Sequence, residues 1–109
     1  MHVIDVRNAE VIETLTKELA TIGVRDGALT LVGGVDSFRI STMPAGDATT
    51  DIITDYHQPG EMTGTGEVVD GVPHIHAVLG IEGDVARAGH LHAATVGTWF
   101  VRAYVHPIH

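Results

Sequence analysis

The sequence contains no cysteine, and only six of its 109 residues are lysine or arginine. The absence of cysteine excludes disulfide bonds and metal sites built on thiolates. The scarcity of basic residues argues against binding to nucleic acid, because such binding depends on clustered lysine and arginine side chains. The formal net charge of -8 points the same way. The composition therefore predicts that the chain makes no direct contact with nucleic acid.

Long apolar segments are also missing from the sequence. No run is long enough to span a bilayer, and residues 1–7 lack the basic stretch and apolar stretch of a signal peptide. These absences predict a cytoplasmic protein that does not enter a membrane. A length of 109 residues fits a single domain over residues 1–109. A domain of this size leaves about a third of its unfolded surface exposed, so assembly into an oligomer is expected to be favourable.

What the sequence has instead is histidine, and three of its eight histidines are spaced as metal ligands. In a β-strand, residues two apart point to the same face, so His74 and His76 would project side by side. The turn signal after this strand predicts that the chain returns through Ala88-Gly89 and brings His90 opposite the pair. Three imidazoles with an open fourth position are typical of catalytic zinc sites. The other face of the strand is apolar: Ile75, Ala77, Leu79 and Ile81.

A second interpretation of these histidines stays open at this stage. A histidine in a half-buried strand often bonds to a backbone carbonyl or lies at a subunit contact, although the paired spacing favours a metal. His92 shares a strand face with His90 and is a fourth ligand, a partner behind the ligands, or a surface residue. Imidazole suits zinc, nickel, copper and iron alike. The histidines without a local partner are predicted to be exposed or structural: His2, His57, His106 and His109.

The hydrophobic pattern predicts one N-terminal helix followed by many strands. Asn8 is predicted to cap the helix, whose apolar residues recur at helical spacing as far as Gly23. The pair Gly33-Gly34 is predicted to end the first strand, at a bend or a close approach of the backbone. The order of elements is therefore one helix among many strands, which is typical of an α+β chain. The predicted strands are 28–32, 37–42, 51–57, 61–69, 72–81, a strand carrying His90, and 99–105.

Four short motifs of this sequence together resemble those of the plants-and-prokaryotes-conserved (PPC) domain family, and the resemblance covers nearly the whole chain. They are Gly33-Gly34, Pro59-Gly60-Glu61, Pro73-His74-Ile75-His76 and Ala88-Gly89-His90-Leu91, where Ala88 replaces the first glycine of the family's Gly-Gly-His-Leu turn. The resemblance implies an α/β fold with a strongly bent antiparallel sheet, a homotrimer, and a histidine cluster that holds zinc. It also implies a fold related to that of zinc-dependent acetolactate decarboxylase. The DNA-binding label of the family derives from AT-hook fusions, and this sequence contains no AT-hook.

Two classes of function compete at the level of the sequence. In the first, the chain is a metal-dependent enzyme, lyase-like or hydrolase-like, acting on a small carbonyl or carboxylate compound. Glu61 would then be the acid or base, and Arg39 or Arg102 would bind an anionic group of the substrate. The alternative for these residues is that Glu61 forms a hydrogen bond to a turn, and that the two arginines are solvated or form surface ion pairs. In the second class, the chain is a trimeric interaction module that has no catalytic activity and contacts DNA only through partner proteins.

Overall fold

The computed structural model describes residues 1–108 and shows a nine-stranded sheet with one helix, and His109 lies outside the described residues. Every strand pair within these residues is antiparallel. The elements are β1 (His2–Val6), β2 (Ala9–Glu10), α1 (Val11–Thr21), β3 (Gly27–Val35), β4 (Ser37–Thr42), β5 (Ile52–Tyr56), β6 (Gly60–Val69), β7 (Val72–Ile81), β8 (Val85–Val96) and β9 (Val101–Pro107). The strand order is β1-β9-β3-β6-β7-β8-β4-β5, and β2 pairs with β8.

The helix begins after Glu10, and the prediction of Asn8 as its cap is wrong. The Glu10 carboxylate accepts hydrogen bonds from the backbone N–H groups of Ile12, at 2.9 Å, and Glu13, at 2.8 Å. Asn8 instead adopts a positive φ of 50°, which turns the chain from β1 into β2. The short pairing of β2 with β8 moves the helix start by two residues. Gly23, with φ of 75°, follows the helix end as predicted.

One face of the sheet is buried beneath the helix and forms a continuous apolar core. The buried side chains of the helix are Val11, Leu15 and Leu19, spaced along one stripe. The predicted apolar face of β7 is confirmed, because Ile75, Ala77 and Leu79 are buried in the same core. The opposite face of the sheet, called the outer face from here on, carries the side chains that alternate with these.

The strands over residues 37–42 and 72–81 have the predicted bounds, whereas β3 is longer than predicted. It does not end at Gly33-Gly34 but runs on to Val35. The glycine at position 33 is needed because a Cβ there would lie 2.1 Å from the carbonyl oxygen of Phe100. The predicted close approach of the backbone is therefore confirmed, while the predicted strand end is wrong.

Two further differences concern the start of β8 and the presence of β1. Residues Ala88 and Gly89 were predicted to belong to a turn, but they lie inside β8, which begins at Val85. The turn signal that follows β7 in the sequence, Glu82-Gly83-Asp84, is confirmed, since these residues connect β7 to β8 and both Gly83 and Asp84 have positive φ. The N-terminal strand β1 was not predicted; it is short and half exposed, and it forms by pairing with β9.

Candidate metal centre

Two adjacent strands hold the three predicted ligands on the outer face of the sheet. His74 and His76 lie two residues apart on β7, and His76 is directly opposite His90 on β8. One ring nitrogen from each of the three residues lies within 4.8 Å of the others. The tight turn between the strands fixes this register, since a shift by one residue would move the histidines to the opposite face. The structure thus brings together the three residues that the sequence singled out.

The arrangement of the rings fits a tetrahedral metal ion. The ring centroids of His74 and His90 are 4.8 Å apart, those of His74 and His76 are 5.1 Å apart, and those of His76 and His90 are 6.1 Å apart. Zinc–nitrogen bonds of about 2.0–2.1 Å place tetrahedral ligand atoms roughly 3.3 Å from one another. The nitrogen atoms lie within 4.8 Å of one another, and His74 and His76 are exposed, so their side chains have room to rotate toward the shorter spacing.

The environment of His90 favours the neutral ring that a metal requires. Burial lowers the pKa of His90, and the neighbouring His92, His74 and His76 lower it further, whereas Asp51 acts in the opposite direction. A neutral imidazole keeps a lone pair for coordination. The donor set, made of neutral nitrogen ligands without thiolate or carboxylate, is one that zinc and other late first-row metals accept.

His92 is close to this cluster but does not belong to it. Its ring centroid is 4.6 Å from that of His90, yet its Nε2 lies 2.7 Å from the Oγ of Ser41. A register shift in the pairing of β4 with β8 places Ser41 in reach of this ring. His92 is therefore outside the three converging residues, and its role as a fourth ligand, a partner behind the ligands or a surface residue stays a prediction.

An open groove of about 800 Å³, called the histidine groove, is lined by two of the three histidines, His76 and His90. Its walls are mostly small and apolar, and it is lined by no lysine or arginine within residues 1–108. Asp51, which precedes β5, is the carboxylate that lines this groove, and sequence reasoning missed it. No local pattern marks it, because only the pairing of β5 with β4 brings it to the histidines. The other lining residues are Ser41, Thr42, Met43, Thr65, His76, Ala77, Val78, Ala88, Gly89 and His90.

The two candidate arginines are engaged in ion pairs on the surface. Arg39 forms a two-point contact with Asp55, with its Nε at 2.6 Å from one carboxylate oxygen. This contact raises the pKa of Arg39 and lowers that of Asp55. The Nε of Arg102 donates to Asp5 at 2.8 Å. Neither arginine lines the histidine groove.

The structure does not bring Glu61 to the histidine cluster. Glu61 lies on β6, four residues before Thr65, which is the residue paired with His76. At about 3.3 Å per residue the separation along the strand is roughly 13 Å. The carboxylate lines a second groove, together with Trp99.

Comparisons with known proteins agree with the fold. The family model described as Plants and Prokaryotes Conserved (PCC) domain matches residues 1–105. No curated protein matches the chain. A solved structure named as a candidate DNA-binding protein, from Ralstonia eutropha JMP134, is 20% identical, with a TM-score of 0.82 over 96% of this chain and 76% of that one. A metal-containing protein from Archaeoglobus fulgidus is also 20% identical, with a TM-score of 0.80 over 97% and 78%.

One solved structure with a lower TM-score and lower sequence identity is that of an enzyme. The α-acetolactate decarboxylase of Bacillus subtilis is 15% identical and superposes with a TM-score of 0.62 over 95% of this chain. The chain spans about half of that enzyme, since 51% of the enzyme is covered. At this level of identity the likeness concerns the fold, and it confirms the expected relation between the two folds.

Proposed function

The chain belongs to the Plants and Prokaryotes Conserved (PCC) domain family, and from that premise we propose that it binds a divalent metal ion, zinc, through His74, His76 and His90. The observation that carries the proposal is the convergence of their three ring nitrogens within 4.8 Å. The name of the Archaeoglobus structure, a metal-containing protein of the same fold, supports it. The three-histidine donor set supports zinc over calcium or magnesium, which prefer oxygen ligands.

We propose further that the site acts on a small carbonyl or carboxylate compound. A metal ion with an open position polarises a carbonyl or acidifies a bound water. The chain's own residues hold that ion and provide the groove of about 800 Å³ beside it. Because no lysine or arginine of the described residues lines this groove, recognition of an anionic end would fall to the ion. The role of Glu61 as acid or base stays a prediction, as does substrate binding by Arg39.

A homotrimer that acts in the cytoplasm is part of the same proposal, and its support is the family resemblance. No helix in residues 1–108 has the length and apolar character needed to cross a membrane. Direct binding to nucleic acid is not proposed, although the Ralstonia structure has a name that suggests it. The chain has a net charge of -8. Three of its six basic side chains are already paired with aspartate: Arg25, Arg39 and Arg102.

The alternative function, a trimeric interaction module without catalysis, is favoured by one observation. The middle of the outer face is uncharged, since Val32, Thr63, Val78 and Ala88 form one row across four strands. Val32 and Val78 are 50% and 46% exposed in the single chain. A partner surface would cover them, and the histidines would then bind a structural metal.

Elemental analysis of untagged protein, purified without chelators, tests the metal proposal. Wild-type protein is expected to hold close to one zinc per chain, and His76→Ala is expected to lose it. Mutation of a residue that only hydrogen-bonds to a metal ligand typically lowers metal affinity by about 10- to 100-fold, and removal of a ligand itself should cost more. His57→Ala, an exposed histidine outside the cluster, is the matched control and should keep the metal. Equal metal content in His76→Ala and in wild type would refute the site. Metal that is held without turnover of any carbonyl compound would favour the interaction module.

A further inference from the structure

A second groove, of about 520 Å³, opens at the edge of the outer face, where β3, β6 and β7 reach their ends. It shares no lining residue with the histidine groove. Its volume falls within the range of about 300–1,000 Å³ that is typical of small-molecule sites. The groove is therefore a candidate binding site separate from the metal centre.

The groove forms beside Glu61 because both residues paired with it on the neighbouring strands are glycines. Glu61 is paired with Gly34 on β3 and with Gly80 on β7, so no side chain stands beside its carboxylate on either neighbouring strand. At Gly80 the atom closest to the position of a Cβ is a backbone oxygen 3.9 Å away, so this side is open. At Gly34 the indole of Trp99 approaches the same position to 3.4 Å and forms a wall.

The groove is acidic and aromatic. Glu61 and Glu82 both line it, and neither is in an ion pair within residues 1–108. No lysine or arginine from that part of the chain lines it. Trp99 is 67% exposed, which is unusual for the largest apolar side chain. The adjacent Phe100 already contacts the guanidinium groups of Arg7 and Arg102, whereas the indole of Trp99 has no such cation among the described residues.

We propose that this groove binds a small organic ammonium ion, with its charge between the face of Trp99 and the carboxylates of Glu61 and Glu82. A cation is attracted by the indole ring and forms charge-assisted hydrogen bonds or close ion pairs with carboxylates. An anion would be repelled by both carboxylates. A neutral apolar ligand would desolvate them without a partner, which costs free energy. The ammonium ion is the ligand class that both features of the groove favour.

The proposal can be tested with the metal site empty, because Trp99 is the single tryptophan of the chain. In chelator, at constant ionic strength, choline is titrated against the indole fluorescence, and 3,3-dimethyl-1-butanol, its uncharged isostere, serves as the matched ligand. Choline is expected to give a saturable change, and the isostere to bind at least about tenfold more weakly. Equal affinities would show that charge plays no part and would overturn the proposal.

Variants then assign the carboxylate. Glu61→Gln should weaken choline binding by about tenfold or more. Glu67→Gln removes an exposed carboxylate from the same strand and face but outside the groove, and should bind choline as wild type does. Equal affinities in Glu61→Gln and wild type would refute the assignment. A fluorescence insensitive to acrylamide as well as to choline would show that another copy of the chain covers the groove, which also overturns the proposal. If choline does not bind, the metal content of the protein is still as measured, so the ammonium proposal and the zinc proposal can fail independently of each other.

Discussion

At the scale of the residue, the chemistry of this protein depends on where single side chains point. His74 and His76 converge because a strand repeats every two residues, and His90 joins them because it faces His76 across one strand pair. The neighbouring His92 differs from them in one contact, the one its Nε2 makes with the Oγ of Ser41. The four rings lie close together, but three of them converge and the fourth contacts a hydroxyl group instead.

His92→Gln is expected to keep the metal, whereas His90→Gln should lose it. The reason is that His92 lies outside the group of converging nitrogens, while His90 belongs to it. The measurement is metal per chain, together with metal affinity by competition against a chelator. A modest loss of affinity in His92→Gln, within the roughly 10- to 100-fold typical of outer partners, agrees with this role. Complete loss of metal in His92→Gln would instead make it a ligand.

The pH dependence of the metal-free protein should reflect the lowered pKa of His90. Burial and three neighbouring imidazoles disfavour the charged ring in the folded chain, whereas the unfolded chain protonates near the ordinary value of 6.5. The unfolded state therefore binds more protons as the pH falls, so the free energy of unfolding should decrease below about pH 6.5.

Urea denaturation in chelator at pH 7.5 and pH 5.5 measures this effect. The decrease between the two pH values should be smaller in His90→Gln than in wild type, since the variant lacks the titrating ring. The exposed control His57→Gln should behave as wild type does. A decrease of the same size in His90→Gln would contradict the assignment.

At the scale of the element, close packing between strands depends on glycine at particular positions. A Cβ at Gly89 would lie 2.3 Å from the carbonyl oxygen of Ser41, across the pairing of β8 with β4. Gly89 directly precedes His90, so this close contact lies beside one of the three converging histidines. The helix shows a similar dependence on a neighbour, since the Glu10 carboxylate that caps it also accepts the N–H of Ala94 on β8.

Gly89→Ala is expected to destabilise the fold by about 1–3 kcal/mol, the usual cost of forcing extra atoms into a packed region. The carbonyl of Ser41 belongs to the backbone and cannot move away without separating β4 from β8. Gly46→Ala is the matched control, since a Cβ at Gly46 meets nothing within 4 Å. Urea denaturation compares the two variants. If Gly89→Ala and Gly46→Ala unfold at the same urea concentration, the steric argument is wrong.

At the scale of the whole molecule, one short helix covers one face of a wide sheet and leaves the other face open. The chain measures 37 × 35 × 18 Å, so it is flat. The outer face has an uncharged centre, and the histidine groove and the acidic groove both open on it. The uncharged centre is suited to contact with another copy of the chain, and the proposed homotrimer would have its interface there, with the acidic groove left open at the edge of the face.

Val32→Glu is expected to convert the proposed trimer into single chains of 11.5 kDa, as measured by sedimentation equilibrium. Val32 is 50% exposed on the outer face between Thr63 and Arg102. The guanidinium of Arg102 already pairs with Asp5, so burying a further carboxylate there against a partner would be costly. Val72→Glu is the matched control: this residue is 65% exposed beside the turn between β6 and β7 and should leave the assembly intact. A trimer that survives Val32→Glu would place the interface elsewhere.

The sequence alone determined the features that depend on local periodicity. The alternation over residues 72–81 placed two histidines on one face, and the following turn signal brought His90 opposite them. The helix with its end at Gly23 was predicted from such patterns, because side-chain period and turn chemistry are properties of a few consecutive residues. The family was predicted from the resemblance of four short motifs.

The tertiary structure decided everything that depends on residues far apart in the chain. The helix starts after Glu10 because β2 pairs with β8, and β3 continues through Gly33-Gly34 because these residues pair with β6. Asp51 reaches the histidine groove, and Glu61 lies in a different groove beside Trp99. Strand order and register set these distances, and neither is a property of a local segment, because the free energy that selects them comes from pairing and burial across the whole sheet.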